Sequence, residues 1–238
     1  MMARKLDPAK IVETLARLQA RIAERFPASG LAQVCAELVE TGRTTAATAH
    51  AIAKPNIALR VGVAAIIALG VAGQLIAARF LQIERLHTDA ASLVQGLDAA
   101  VNLLLLAAGG VWFLLTLEER FKRRSALAAL HELRSFAHVI DMHQLTKDPT
   151  LLLGAFHMRT KASAARAMSE FELTRYLEYC SEMLSLIGKL AALYGQDMRD
   201  GVVIEAVNDV ESLTTNLSRK VWQKITIIKQ LDEKPADA

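Results

Sequence analysis

The chain has 238 residues, 53% of them hydrophobic, 5% aromatic and 22% charged, with a formal net charge of +3. That balance argues against a basic nucleic-acid-binding surface, and charge at ordinary soluble density means the apolar excess is concentrated in particular segments. Gly and Pro are few, no apolar–polar alternation is bounded by turn signals, and Ala, Leu, Glu, Lys and Arg dominate elsewhere, so an all-α chain is expected.

Residues 1–56 read as N-terminal amphipathic helices. Asp7-Pro8 predicts an N-cap followed by proline in the first helical turn. Ile11, Leu15, Leu18, Ile22 and Phe26 then mark one apolar face, with Lys10, Arg17, Arg21 and Arg25 mostly off it. Such a basic helix suits either an anionic membrane surface or packing on the rest of the protein. Pro27 to Gly30 ends it, a second short helix is predicted over Leu31–Thr41, and a small-residue stretch leads from Thr44 to Pro55. A charged amphipathic segment stands where a secretory signal would carry its apolar core, so the first hydrophobic span is expected to act as its own insertion signal.

Two uncharged runs decide the class. Val61–Ala78 and Ala99–Leu117 carry no charged residue; at 1.5 Å per residue they cover about 27 and 28 Å, near the hydrocarbon thickness of a bilayer. They predict a two-span transmembrane hairpin within residues 57–118, with spans at about 58–79 and 98–117 and a short external connector. Arg43, Lys54 and Arg60 precede the first span, and Arg120, Lys122, Arg123, Arg124 and Arg134 follow the second. The connector holds only Arg79 and Arg85 against Glu84, Asp89 and Asp98. Retention of positive charge then places both termini in the cytoplasm of a cell (inner) membrane protein. Gly62, Gly70, Gly109 and Gly110 suggest close helix approach in lipid. Gln74 and Asn102, the polar side chains inside the spans, suit a hydrogen bond between helices or, in a channel subunit, the lining of a path.

Residues 119–233 are expected to form a cytoplasmic helical bundle with a coiled-coil-like hairpin, followed by a disordered tail at 234–238. A continuous helix is predicted to leave the membrane over Glu118–Leu145, broken at Lys147-Asp148-Pro149. A short apolar segment, Leu151–Met158, and a polar connector, Arg159–Met168, come next. Leu173, Leu177, Cys180, Leu184, Ile187, Ala191 and Tyr194 alternate steps of four and three. Beyond a turn near Gly195–Gly201, Val203, Val207, Val210, Thr214, Leu217, Val221, Lys224, Ile228 and Leu231 continue the pattern with two polar interruptions. Sustained spacing of this kind presents a seam to a partner helix. Leu173, Leu177, Leu184, Ile187, Val207, Leu217, Val221 and Ile228 are the predicted interaction residues, engaging each other within the chain, a second copy, or another protein.

Chemistry-bearing constellations are sparse. Cys35 and Cys180 each fall on an apolar stripe and read as buried thiols. His131, His138 and Asp141 share a helix face and are candidate metal ligands, with His143 or His157 to complete a set. The string His131-Glu132-Leu133-Arg134-Ser135 resembles the phospho-acceptor box of sensor histidine kinases, which follows a membrane hairpin and linker helix. That resemblance implies phosphoryl transfer to His131 with Glu132 as base. Phe136 stands where that family has Pro, and no ATP-binding boxes follow, so autophosphorylation is not implied. No nucleophile elbow, phosphate loop, dinucleotide fingerprint or HExxH zinc motif occurs. The expected function is therefore non-enzymatic and free of cofactors: a multi-pass membrane protein, embedded in the lipid bilayer, presenting a helical scaffold to a protein partner or its own copy. A channel subunit and a metal- or phosphate-dependent signalling protein are the rivals.

Overall fold

The structure, a computed structural model, describes residues 5–81, 90–147, 168–198 and 200–232. The described residues form six helices: α1 (Pro8–Arg25), α2 (Gly30–Ala53), α3 (Ile57–Leu81), α4 (Ala90–Leu145), α5 (Glu170–Asp197) and α6 (Gly201–Asp232). No strand occurs among them. The chain divides into two compact units, residues 1–53 with 125–238, and residues 54–124.

The first unit is a helical bundle with one core, shared by the N-terminal and C-terminal parts of the chain. α5 is its central element, packing on α6, α1 and α2. The three-four stripe of α5 is buried, but so are Tyr176, Tyr179, Met183, Leu190 and Leu193 on its other faces. α6 buries Val203, Val207, Val210, Thr214, Leu217, Val221 and Ile228 of its expected seam, and Ile225 beside the half-buried Lys224. The short connection between α5 and α6 makes these neighbours antiparallel. A capping box starts α5: the Ser169 hydroxyl accepts from Glu172 N, and the Glu172 carboxylate accepts from Ser169 N.

α1 begins as predicted, with Asp7 accepting from Ala9 N and Lys10 N ahead of Pro8. Its apolar stripe goes inward: Ile11, Leu15, Leu18, Ile22 and Phe26 are buried against α2 and α5. Phe26 meets Tyr176 and Tyr179 edge-on, with ring centroids 5.5 and 6.2 Å away. This stripe is therefore a packing face, unavailable to a membrane surface. Between α1 and α2 the chain turns through Ala28 in the left-handed region, φ 59°.

α2 differs from expectation by running on to Ala53. The stretch from Thr44 holds alanines and threonines with no Gly or Pro until Pro55, and Thr45, Ala49 and Ile52 continue the buried stripe begun by Leu38 and Thr41. Small size reads as a linker in sequence, yet alanine is the best helix former, and only the residue before proline is pushed out of helix. At Gly42 an added Cβ would lie 3.2 Å from Leu15 Cδ2. Glycine there lets α1 and α2 approach.

α4 contributes Ser125 onward to this bundle, burying Ala126, Leu130, Leu133, Ala137, Ile140 and Gln144 at alternating steps of four and three. Its 56 residues form one uninterrupted helix, roughly 84 Å at 1.5 Å per residue.

The second unit contains α3 and the first part of α4, and both are long and apolar enough to cross a membrane. Its large side chains are exposed: Leu69 is 73% and Leu106 75% accessible. An added Cβ would meet nothing within 4 Å at Gly62, Gly70, Gly73, Gly109 or Gly110. Among the described residues, nothing outside their own helix packs against these glycines.

Candidate functional site

Among the described residues, each unit has a polar assembly that joins groups from distant parts of the sequence. In the second unit Glu118, at the end of the apolar run of α4, is held from three directions. Its carboxylate accepts from Arg60 Nε at 2.7 Å, from Lys122 Nζ at 2.9 Å and from Asn56 N at 3.0 Å. Lys122 Nζ also donates to Lys54 O at 2.8 Å. The Glu118 side chain is only 12% exposed, and the Arg60 guanidinium, followed by Lys122, pulls its pKa down to about 2. This clamp ties the start of α3 to α4. In sequence Arg60 and Lys122 appear only as members of the positive clusters flanking the spans, and their shared carboxylate goes unnoticed.

In the first unit Lys224 closes the C-terminal end of α4. Its Nζ donates to Gln144 O at 2.7 Å and Lys147 O at 3.3 Å. Helix C-termini leave carbonyls without intrahelical donors and carry partial negative charge, so an ammonium group suits them. This accounts for the second polar interruption of the α6 seam. The first, Thr214, turns its hydroxyl back to Glu211 O at 3.0 Å. Nearby, Lys147 Nζ lies 5.0 Å from the Tyr176 ring centroid. Gln144 donates to Asp141 Oδ1 at 2.5 Å while its own Oε1 is buried without a partner.

The candidate metal ligands do not converge. His131 and His138 are exposed, and Asp141 is turned to Gln144. His143 lies by Gly30, where an added Cβ would come within 2.5 Å of its Cε1. His157 and the segments expected at Asp148-Pro149 and Leu151–Met158 lie outside the described residues. Among the described residues no three His, Cys, Asp or Glu side chains come together as a metal-binding group. The five-residue string at His131 is not arranged as an acid–base pair either: the Glu132 carboxylate accepts from Thr41 Oγ1 of α2 at 3.0 Å, and Ser135 Oγ donates to His131 O.

All eight predicted interaction residues are inside the bundle: Leu177, Leu184, Ile187, Val221 and Ile228 fully, and Leu173, Val207 and Leu217 to within 5%. Their partners are helices of the same chain. Gln74 and Asn102 are exposed on their helices, and their side chains make no hydrogen bond among the described residues. Cys35 and Cys180 are buried, and burial pushes both thiols up to about 12, so they behave as small apolar groups. Burial likewise raises Tyr194 to about 12; its hydroxyl sits beside Thr45 at a geometry short of a hydrogen bond.

One open groove of about 620 Å³ runs between α1 and α2. Ala9, Val12, Ala16 and Ala46 line it with Asp7, Glu13, Arg43 and His50. Glu13 is paired with Arg17, and Arg43 with Glu40, so the groove offers few unpaired charges for a ligand. Compared with protein-family models, curated proteins and solved structures, the chain matches none.

Proposed function

We propose that the chain is a non-enzymatic, two-span membrane protein whose helical bundle is a cytoplasmic scaffold. The observation supporting this reading is the coexistence of a unit with a closed core and two helices whose uncharged surfaces are left bare. Water does not tolerate that much contiguous apolar surface, whereas lipid does. The Lys and Arg excess beside the spans sets both termini in the cytoplasm. Because the seam of α5 and α6 is occupied by the chain itself, a partner would meet the outward face of the bundle.

The outward face of α6 suits that role. Glu205, Asp209 and Glu211 fall in its N-terminal half, and Arg219, Lys220 and Lys229 in its C-terminal half, all exposed. A helix macrodipole favours this order only within the terminal turns, and Asp209, Glu211, Arg219 and Lys220 lie deeper. Ile204 and Trp222, 40% and 52% accessible, share one stripe. A second α6 laid antiparallel would set Ile204 against Trp222 and the acidic half against the basic half, a self-complementary arrangement.

The test is cross-linking and native mass measurement of the protein extracted from its own membranes in nanodiscs. The Glu205→Lys, Asp209→Lys variant is expected to lose its companion. Adding Arg219→Glu and Lys220→Glu to the same chain restores the companion if it is a second copy, and leaves it lost if it is a different protein. Undiminished association in both variants contradicts the α6 surface. A purely aqueous protein would contradict the membrane reading itself.

A further inference from the structure

We infer that α4 carries a headgroup site for an acidic phospholipid on the stripe Phe113, Leu117, Arg120 and Arg124; this rests on the membrane reading of the hairpin. These residues follow one another at steps of four, three and four, so they share one helix face. Glu118 and Lys122 are turned well over 100° away from that face, toward the clamp with α3. The stripe changes character along its length, from Phe113 and Leu117 inside the apolar run to two arginines just beyond it.

The guanidinium of Arg120 lies 5.0 Å from the Phe113 ring centroid. Its side chain therefore reaches back along the helix toward the apolar run. An arginine that extends in this way holds its charge at the boundary between hydrocarbon and headgroups, where lipid phosphates lie. Arg124, one turn further out, is exposed and has no ion-pair partner among the described residues. Two like charges one turn apart repel each other, and an anion between them relieves that repulsion. Guanidinium forks match phosphate oxygens bidentately, which an ammonium does not. The apolar part of the stripe gives the acyl chain a surface, with Phe113 49% accessible.

The ligand chemistry is a phosphate monoanion, and the apolar half of the stripe commits the site to a lipid. Trp112, 70% accessible beside Phe113, is a built-in reporter. The full-length protein, with Trp222→Phe to remove the other tryptophan, is placed in nanodiscs containing phosphatidylcholine and phosphatidylglycerol. Either lipid in turn carries brominated acyl chains. Brominated phosphatidylglycerol is expected to quench Trp112 out of proportion to its mole fraction, with a preference of roughly fivefold per arginine. Arg120→Gln with Arg124→Gln abolishes the preference, while Arg134→Gln leaves it intact. Arg120→Lys with Arg124→Lys weakens it, because charge remains and the fork is lost. Equal quenching by the two lipids, or full retention of the preference in the lysine variant, overturns the site. Loss of the preference on adding inorganic phosphate would make free phosphate the ligand and overturn the lipid assignment. Absence of quenching by either lipid would instead refute the membrane reading on which the site rests.

Discussion

The two units are built from the same side chains and use them in opposite ways. Leu184 on α5 is fully buried and Leu106 on α4 is 75% exposed, though both sit in Leu- and Ala-rich helices. The difference lies in what stands between the leucines. In the bundle, Glu178, Glu182, Ser185 and Lys189 interrupt the apolar stripes of α5 and leave water-compatible positions. In the apolar unit no charge interrupts Val61–Ala78 of α3 or Ala99–Leu117 of α4, and Gln74 and Asn102 are the only amide side chains there, so these runs are apolar around nearly their whole circumference. A helix of the first kind needs other helices, and one of the second kind needs a solvent that is itself apolar. α4 is both, changing from one kind to the other between Leu117 and Ala126.

The sharpest way to test this contrast is to truncate one leucine of each kind. Leu184→Ala is expected to cost the bundle about 2–5 kcal/mol through lost burial and the cavity left behind. Leu106→Ala should change the same unfolding transition by less than about 0.5 kcal/mol. Chemical denaturation followed by circular dichroism measures both, and equal effects would abolish the distinction between the units.

A smaller effect is expected at the end of α4. Lys224→Met keeps the apolar stem but removes the donor to Gln144 O and Lys147 O. Leaving part-buried carbonyls unpaired should cost about 1–3 kcal/mol. Hydrogen exchange should quicken over residues 141–147 before it does so elsewhere in the bundle. Uniform quickening would mean that Lys224 is an ordinary core contact.

The smallest effect concerns the clamp in the apolar unit. Glu118 has a pKa depressed from an ordinary 4.5 to about 2. Its stabilisation is therefore complete above the ordinary carboxyl range and is lost as pH falls from about 4.5 to about 2. A distance measured between labels at Ile57 and Phe121 should lengthen across that window, and Glu118→Gln should remove the acid step. A pH-independent distance in the native protein would show that the carboxylate does not hold α3 to α4.

What was legible in the sequence follows from pattern length. The uncharged runs, the stripe of α1 and the seam of α5 and α6 each extend over several turns, and each appears as a helix in the expected place. α2 was half legible, because its alanines carry no stripe of their own and its buried Thr45 and Ala49 are not read as core. The pairing of α5 with α6 was legible from the short connection between them, although a heptad-like pattern fits a helix of another copy as well. The packing of α1 and α2 on α5 left no mark in that pattern. Nor did the clamp and the α4 cap. Their partners lie 58 to 80 residues apart, as in Arg60–Glu118 and Gln144–Lys224, and single charges at such separations leave no periodic trace. The histidine group illustrates the reverse. Proximity in sequence put His131, His138 and Asp141 on one face, but the side chains found other surroundings.

The central claim is that α3 and the first part of α4 are covered by lipid. The direct test places a spin label at Leu69→Cys or Leu106→Cys in nanodiscs, where the buried native Cys35 and Cys180 remain unlabelled. Collisions with oxygen and with a water-soluble nickel chelate are then compared. Both sites are expected to be open to oxygen and shielded from nickel. Free access of nickel to either site would contradict the account and return the apolar unit to an aqueous or protein-covered setting.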